Sequence, residues 1–232
     1  VSAIETENNG IRILPAGKVV VDGKYDDWDL SGGIFTCSGV ETNRDIYSVW
    51  VHMMYDKDYL NVLSRWNDPT PANHPGSTKG DFGFNGDCLQ IRFITGYEKA
   101  DERVSHLTCW RDRDGLDVID IAYGRDFNEG TVRNAKDKGG MQAFQVNADG
   151  KGYVQEMAIP WKLITADGNP LKAGDSMVMT VEPNFTAGLS GRITIKDIFR
   201  SGIVPDRVFT FRAYKHWGTG TLESKGKVDP AP

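Results

Sequence analysis

The chain has 232 residues, 39% hydrophobic and 25% charged, with 32 acidic against 27 basic side chains and a formal charge of −5. That composition suits a globular protein with one sizeable core, and it lacks the clustered Lys and Arg needed to displace counterions from a polyanion, so nucleic acid is not expected as a partner. No run of about 18 apolar residues is present to span a bilayer as a helix.

Val1 to Gly10 is polar and reads as a flexible lead-in, residues 11 to 225 as a single ligand-binding domain, and 226 to 232 as a tail or linker. A chain opening on Val1 carries the expectation of a removed leader or of a domain cut from a longer, multidomain protein in an extracellular or periplasmic setting. Within the domain, short runs of β-branched and aromatic residues are separated by Gly, Asp, Asn and Pro. In chain order the expected strands are Lys18 to Val21, Ile46 to Tyr55, Tyr59 to Trp66, Cys88 to Thr95, Val104 to Trp110, Asp117 to Tyr123, Gln142 to Asn147, Tyr153 to Ile159, Ser176 to Glu182 and Arg207 to Tyr214. Asp56-Lys57-Asp58 and the Gly-containing segment Asn147 to Gly152 read as hairpin turns. Ile46 to Tyr55 is apolar on both faces, which marks a central strand. Pro160 to Ile164 is the one convincing helical piece. The fold expected is all-β, an antiparallel β-sandwich with one short helix.

The segment Asn67 to Gly86, rich in Pro and Gly, is the longest without strand character and reads as a functional loop. Cys37, Cys88 and Cys109 form no metal or haem-attachment spacing. Cys88 and Cys109 fall in neighbouring expected strands, where either a disulfide or two buried thiols would fit.

Three stretches in order, Val21-Asp22-Gly23-Lys24-Tyr25-Asp26-Asp27-Trp28, Gly86-Asp87-Cys88-Leu89-Gln90-Ile91 and Gly152-Tyr153-Val154-Gln155-Glu156-Met157-Ala158-Ile159-Pro160-Trp161, resemble the family 9 carbohydrate-binding modules and the wider DOMON-like superfamily over roughly residues 17 to 215. A fourth, Arg65-Trp66-Asn67-Asp68-Pro69-Thr70, resembles the haem-binding domains related to the ethylbenzene dehydrogenase γ subunit. The first resemblance implies a non-catalytic module that binds a poly- or oligosaccharide, with calcium as an accompanying ion. The second implies a b-type haem and electron transfer.

A sugar site needs aromatic faces for the apolar side of a pyranose and amides, carboxylates or Arg for its hydroxyls. Trp66 and Asp68, Trp110 and Arg111, and Trp217 supply that mixture beside polar loops. The competing reading of each Trp is a core anchor. A calcium site would draw on acidic turns such as Asp112 and Asp114, and a haem would need axial ligands such as Met54 and His106. No nucleophile elbow, zinc-protease helix or phosphate loop is present, so catalysis is not expected. Glu156 is read as a structural hydrogen-bonding partner rather than a catalytic acid.

Overall fold

In the strand Cys88–Thr95, Leu89, Ile91 and Phe93 point into the main apolar cluster while Gln90, Arg92 and Ile94 point the other way, as the two-residue repeat of a strand requires. The same alternation runs through the molecule. The computed structural model describes residues 11–37, 40–78, 81–186, 198–200, 211–212 and 214–227. Its strands are β1 (Ile11–Pro15), β2 (Ile34–Thr36), β3 (Ser48–Tyr55), β4 (Tyr59–Asn67), β5 (Cys88–Thr95), β6 (Arg103–Arg111) and β7 (Asp117–Tyr123). They continue as β8 (Thr131–Val132), β9 (Met141–Val146), β10 (Gly152–Pro160), β11 (Ser176–Thr186), β12 (Ile198–Arg200) and β13 (Gly218–Leu222).

All thirteen belong to one hydrogen-bonded sheet with the central order β8-β7-β6-β5-β11-β13-β1-β3-β4-β10-β9, β2 pairing with β3 and β12 with β11. The sheet curls around a cluster built from both of its halves, including Ile91, Leu107 and Ile121 from one and Val51, Val62 and Met157 from the other. Burying each such side chain contributes about 1.5–3 kcal/mol. The expectation of two separate antiparallel sheets is therefore corrected. The joint is β1, which lies parallel to both β3 and β13 and carries the ladder from one half to the other.

Side chains close the curl where no backbone ladder does. Gln155 of β10 donates to the Cys109 carbonyl of β6, at 3.1 Å, and to Gln142 Oε1, at 3.0 Å. Gln142 of β9 donates to the carbonyls of Trp110 and Val118.

Eight of the expected strands match observed ones to within a few residues at each end, and both hairpins form. Asp56 Oδ1 accepts the amides of Asp58 and Tyr59, which fixes the first turn. Lys18 to Val21 is not a strand: Val20 is 51% exposed and its amide donates to Asp27. Of Arg207 to Tyr214, residues 207–210 and 213 lie outside the described part, residues 211–212 form a turn and Tyr214 begins a 3-10 turn, Tyr214–His216. The lead-in and residues 228–232 also lie outside it. The short helix is a 3-10 turn, Trp161–Leu163. All three cysteines are buried and none is in a disulfide. Although Cys109 pairs with Leu89 in register, Cys109 faces the main core and Cys88 the opposite face, so the two thiols cannot join.

The first and third of the motifs that carry the family resemblance meet at one point. Glu156, fully buried on the outer face of β10, accepts the amides of Asp22 and Gly23 and the indole N–H of Trp28, each at 2.9 Å. These bonds hold the segment 16–33 across a small cluster of Leu14, Trp28, Met54, Leu63 and Val154. Glu156 thus has the structural role expected of it.

Candidate functional site

The outer face of β7, β6, β5 and β11 carries a band of polar side chains between two apolar clusters. Register aligns it in two rows, Glu182–Gln90–Thr108–Asp120 and Thr180–Arg92–His106–Ala122. Above the band pack Cys88, Trp110 and Val118, with Phe84. Below it pack Ile94, Val104 and Trp217, with Tyr97, Val178 and Tyr214.

Arg92 and Glu182 are buried and stand 3.8 Å apart across the two rows. A buried pair of this kind adds little net stability, because desolvating both charges offsets their attraction. His106 is ringed by aromatic side chains, Phe127 at 4.3 Å, Trp217 at 5.9 Å, and Phe211 and Tyr214 at 6.3 Å. Burial, and then the neighbouring Arg92, lower its pKa to about 3, so the imidazole is neutral and offers one donor and one acceptor. Among the described residues neither the Thr180 hydroxyl nor the Asn184 side-chain oxygen has a hydrogen-bonding partner, and the His106 ring has only an approach to the Gly124 backbone that falls short of full hydrogen-bond geometry. Buried polar groups almost always find a partner, so under-satisfied groups gathered on one face make it the candidate place for a polar guest. The available chemistry is neutral donors and acceptors, one guanidinium, one carboxylate and aromatic edges.

No protein-family model matches the chain, and no curated protein matches it. Solved structures do. The carbohydrate-binding module family 9 domain of Caldicellulosiruptor kristjanssonii, in complex with cellotriose, superposes with a TM-score of 0.57 at 17% identity, covering 95% of this chain and 99% of the other. Its complex with glucose gives 0.56 at 17% identity, covering 94% and 98%. A protein of Bacteroides uniformis ATCC 8492, provisionally described as carbohydrate-binding, gives 0.60 at 12% identity, covering 93% and 99%.

The fold is that of the family 9 modules.

On that fold the residues singled out from sequence are dispersed. Trp66 is 2% exposed in the main core, stacked on Tyr153 at 4.9 Å with its indole N–H donating to Ser64. It presents no free face, which corrects the expectation of a stacking platform. Trp110 is equally buried, donates to Asp120 and touches His74, so it borders the polar band as packing. Arg111 is occupied by Asp117, at 2.6 Å, and lies over Phe144. Asp68 sits in the loop after β4, away from the band, bonded to the Thr70 amide. Trp217 does reach the band, as one of the aromatic neighbours of His106.

Met54 belongs to the cluster beneath the 16–33 segment and His106 to the polar band, so the two do not face a common slot and cannot serve as one axial pair. Asp112 spends its carboxylate on the amides of Asp114, Leu116 and Thr78, while exposed Asp114 pairs with Arg113. These two residues form a turn and do not fit calcium. Among the described residues no group of three or more His, Cys, Asp or Glu is placed to hold a metal ion, and no helix is long and apolar enough to cross a membrane.

Sequence reasoning missed Arg92, Thr180 and Glu182. The signal was present in the strict alternation of Leu89-Gln90-Ile91-Arg92-Phe93 and of Met179-Thr180-Val181-Glu182, where polar residues occupy every second place in strands otherwise fit for a core.

Proposed function

We propose that this chain is a carbohydrate-binding module that holds a neutral sugar on the outer face of β7, β6, β5 and β11. The single observation that carries this reading is the cluster of under-satisfied buried polar groups, His106, Thr180 and Asn184, between aromatic side chains. A pyranose presents hydroxyls around its edge and C–H groups on its faces, so it can satisfy the polar row while its faces lie against rings such as Trp217. Arg92 and Glu182 would take the hydroxyls that bind charge-assisted donors and acceptors most strongly. The fold neighbours, solved with glucose and with cellotriose, agree with this reading and set the first probes.

The test is a titration of glucose, cellotriose, xylotriose and mannotriose into the full chain, followed by amide resonances and calorimetry. Thr180→Val is the sharp variant, since it removes only the hydroxyl and keeps the shape. We expect one of these sugars to shift resonances of β5, β6 and β11, and Thr180→Val to weaken it about tenfold, as loss of about 1.4 kcal/mol implies. The melting temperature should be unchanged or higher, because an unmatched buried hydroxyl is removed. Sugar binding that leaves the resonances of these strands untouched, or that is indifferent to both Thr180→Val and His106→Ala, would falsify the assignment of this face.

A further inference from the structure

Five of the six tryptophans are at most 8% exposed, whereas Trp50 is 41% exposed. It stands on the outer face of the other half of the sheet, far along the strand order from the polar band. Register places it in a row that crosses five strands: Phe35 on β2, Trp50 on β3, Arg65 on β4, Val154 on β10 and Gln145 on β9. With strands about 4.8 Å apart the row is about 19 Å long. The next row, His52–Leu63–Glu156, lies under the 16–33 segment that Glu156 anchors. Val154 of the Trp50 row is buried under that cover as well, while Phe35, Trp50 and Arg65 are left at its edge.

Two adjacent rings stand between two guanidiniums. Phe35 and Trp50 are 5.3 Å apart, and the Arg44 guanidinium stands 5.6 Å over Phe35. On the other side of Trp50, Arg65 lies 5.4 Å from the ring centre of exposed Tyr25. Beyond Tyr25 opens a groove of about 560 Å³, lined by Lys24, Asp26, Gln145, Asn147 and Val154 among others. Among the described residues neither Arg44 nor Arg65 has a carboxylate within ion-pairing distance. The side-chain contact of Arg65 is the His52 ring, which burial keeps neutral. In a chain with an excess of acidic residues, two guanidiniums without carboxylates flank the one open tryptophan.

We propose that this row is a second glycan-binding surface, built for an acidic, uronate-bearing polysaccharide chain. Pyranose faces would lie on Trp50 and Phe35, and carboxylates would take the guanidiniums of Arg44 and Arg65 in the two-pronged geometry that Arg offers. The groove beyond Tyr25 supplies amides for hydroxyls. A neutral glucan would leave both guanidiniums unmatched, and an apolar protein partner would have to desolvate them. The inference shares with the preceding section the reading of the chain as glycan-binding, but it uses a different face.

The full chain is titrated with an oligogalacturonate and with cellotriose, as wild type and as Trp50→Ala, Arg65→Gln and Thr180→Val. Trp50 is exposed and Arg65 half-buried, and melting curves check that each variant is folded. The expected result is oligogalacturonate binding that weakens at least tenfold in Trp50→Ala and in Arg65→Gln, falls as salt is raised, and is unchanged in Thr180→Val. If cellotriose binds through the polar band and oligogalacturonate does not bind, this proposal is overturned and the proposed function stands. If oligogalacturonate binds through Trp50 and no sugar responds to Thr180→Val or His106→Ala, this proposal stands and the polar band is overturned. Equal oligogalacturonate affinity in wild type and Trp50→Ala overturns the surface, as does a Trp50→Ala effect confined to self-association in sedimentation.

Discussion

Glu156 and Arg92 are both charged residues in the middle of strands, and the structure uses them differently. Glu156 is matched by three donors and fastens a loop, while Arg92 is paired at 3.8 Å on a face that also holds unmatched groups. A third buried charge, Asp68, offers a cleaner test. It is 1% exposed, its Oδ1 accepts from Thr70, and its carboxyl stands beside that of Asp87, close enough for the two to share a proton. Burial raises its pKa from 3.8 to about 6, and nearby Asp87 is raised further by burial and by Asp68 itself. A carboxyl whose folded pKa lies above its unfolded value stabilises most when protonated. Its contribution is complete below about pH 3.8 and is lost as pH rises through about 6. Asp68→Asn keeps an oxygen for Thr70 and has no charge to lose. Thermal unfolding of both proteins between pH 4 and 7 should show the variant gaining on the wild type by up to about 3 kcal/mol across that window. A constant difference would mean that the Asp68 charge does not limit stability. The two stretches that meet at Glu156, residues 21–28 and 152–161, were readable because each has local turn and strand chemistry. Arg92, Thr180 and Glu182 were passed over because a polar residue in a half-buried strand looks the same whether its face meets water or a guest.

At the level of elements, hairpins were the most readable features and β1 the least. The β9–β10 connection is defined by Gly150 and Gly152, both in backbone conformations that side chains disfavour, φ +68° and +148°. The two glycines differ in what surrounds them. A Cβ on Gly150 meets nothing within 4 Å, whereas one on Gly152 would fall 1.9 Å from the Trp66 carbonyl oxygen. Gly152 begins the ladder of β10 against β4 at Asn67, so the backbone cannot give way without breaking register. We expect Gly150→Ala to cost about 1–2 kcal/mol, the left-handed penalty alone, and Gly152→Ala at least about 3 kcal/mol. Equal losses in urea denaturation would show that the close approach at Trp66 is relieved by a small backbone shift. β1 went unread because its five residues have no hairpin partner: both neighbours are parallel, and Gly220 is its partner from the far end of the chain. Local patterns carry no trace of such pairings. The valines of 18–21 show the converse, strand propensity overridden by a loop that Glu156 and Asp27 hold elsewhere.

For the whole molecule, the difference between two stacked sheets and one curled sheet rests on the parallel joint at β1 and on how the far edges meet. The far edges are held by Gln142 and Gln155, amides buried where an apolar core would suffice if packing alone were required. Gln155 serves the Cys109 carbonyl and Gln142, and its own oxygen accepts from Ser64, which in turn receives the Trp66 indole. Removing one member leaves the others unmatched in a region of low polarity, which is the expensive outcome, while removing two together removes part of the penalty. Gln155→Met should therefore lower stability by about 2–3 kcal/mol with little change in the denaturant slope, and Gln142→Met by a similar amount. The double variant should lose clearly less than the sum, with a coupling of about 1 kcal/mol, the mark of residues in one network. Strict additivity would mean that apolar packing alone closes the curl. The consequence reaches both proposed binding faces, because each lies on the outside of one half of the sheet and the amide pins set how those halves are held around their shared core.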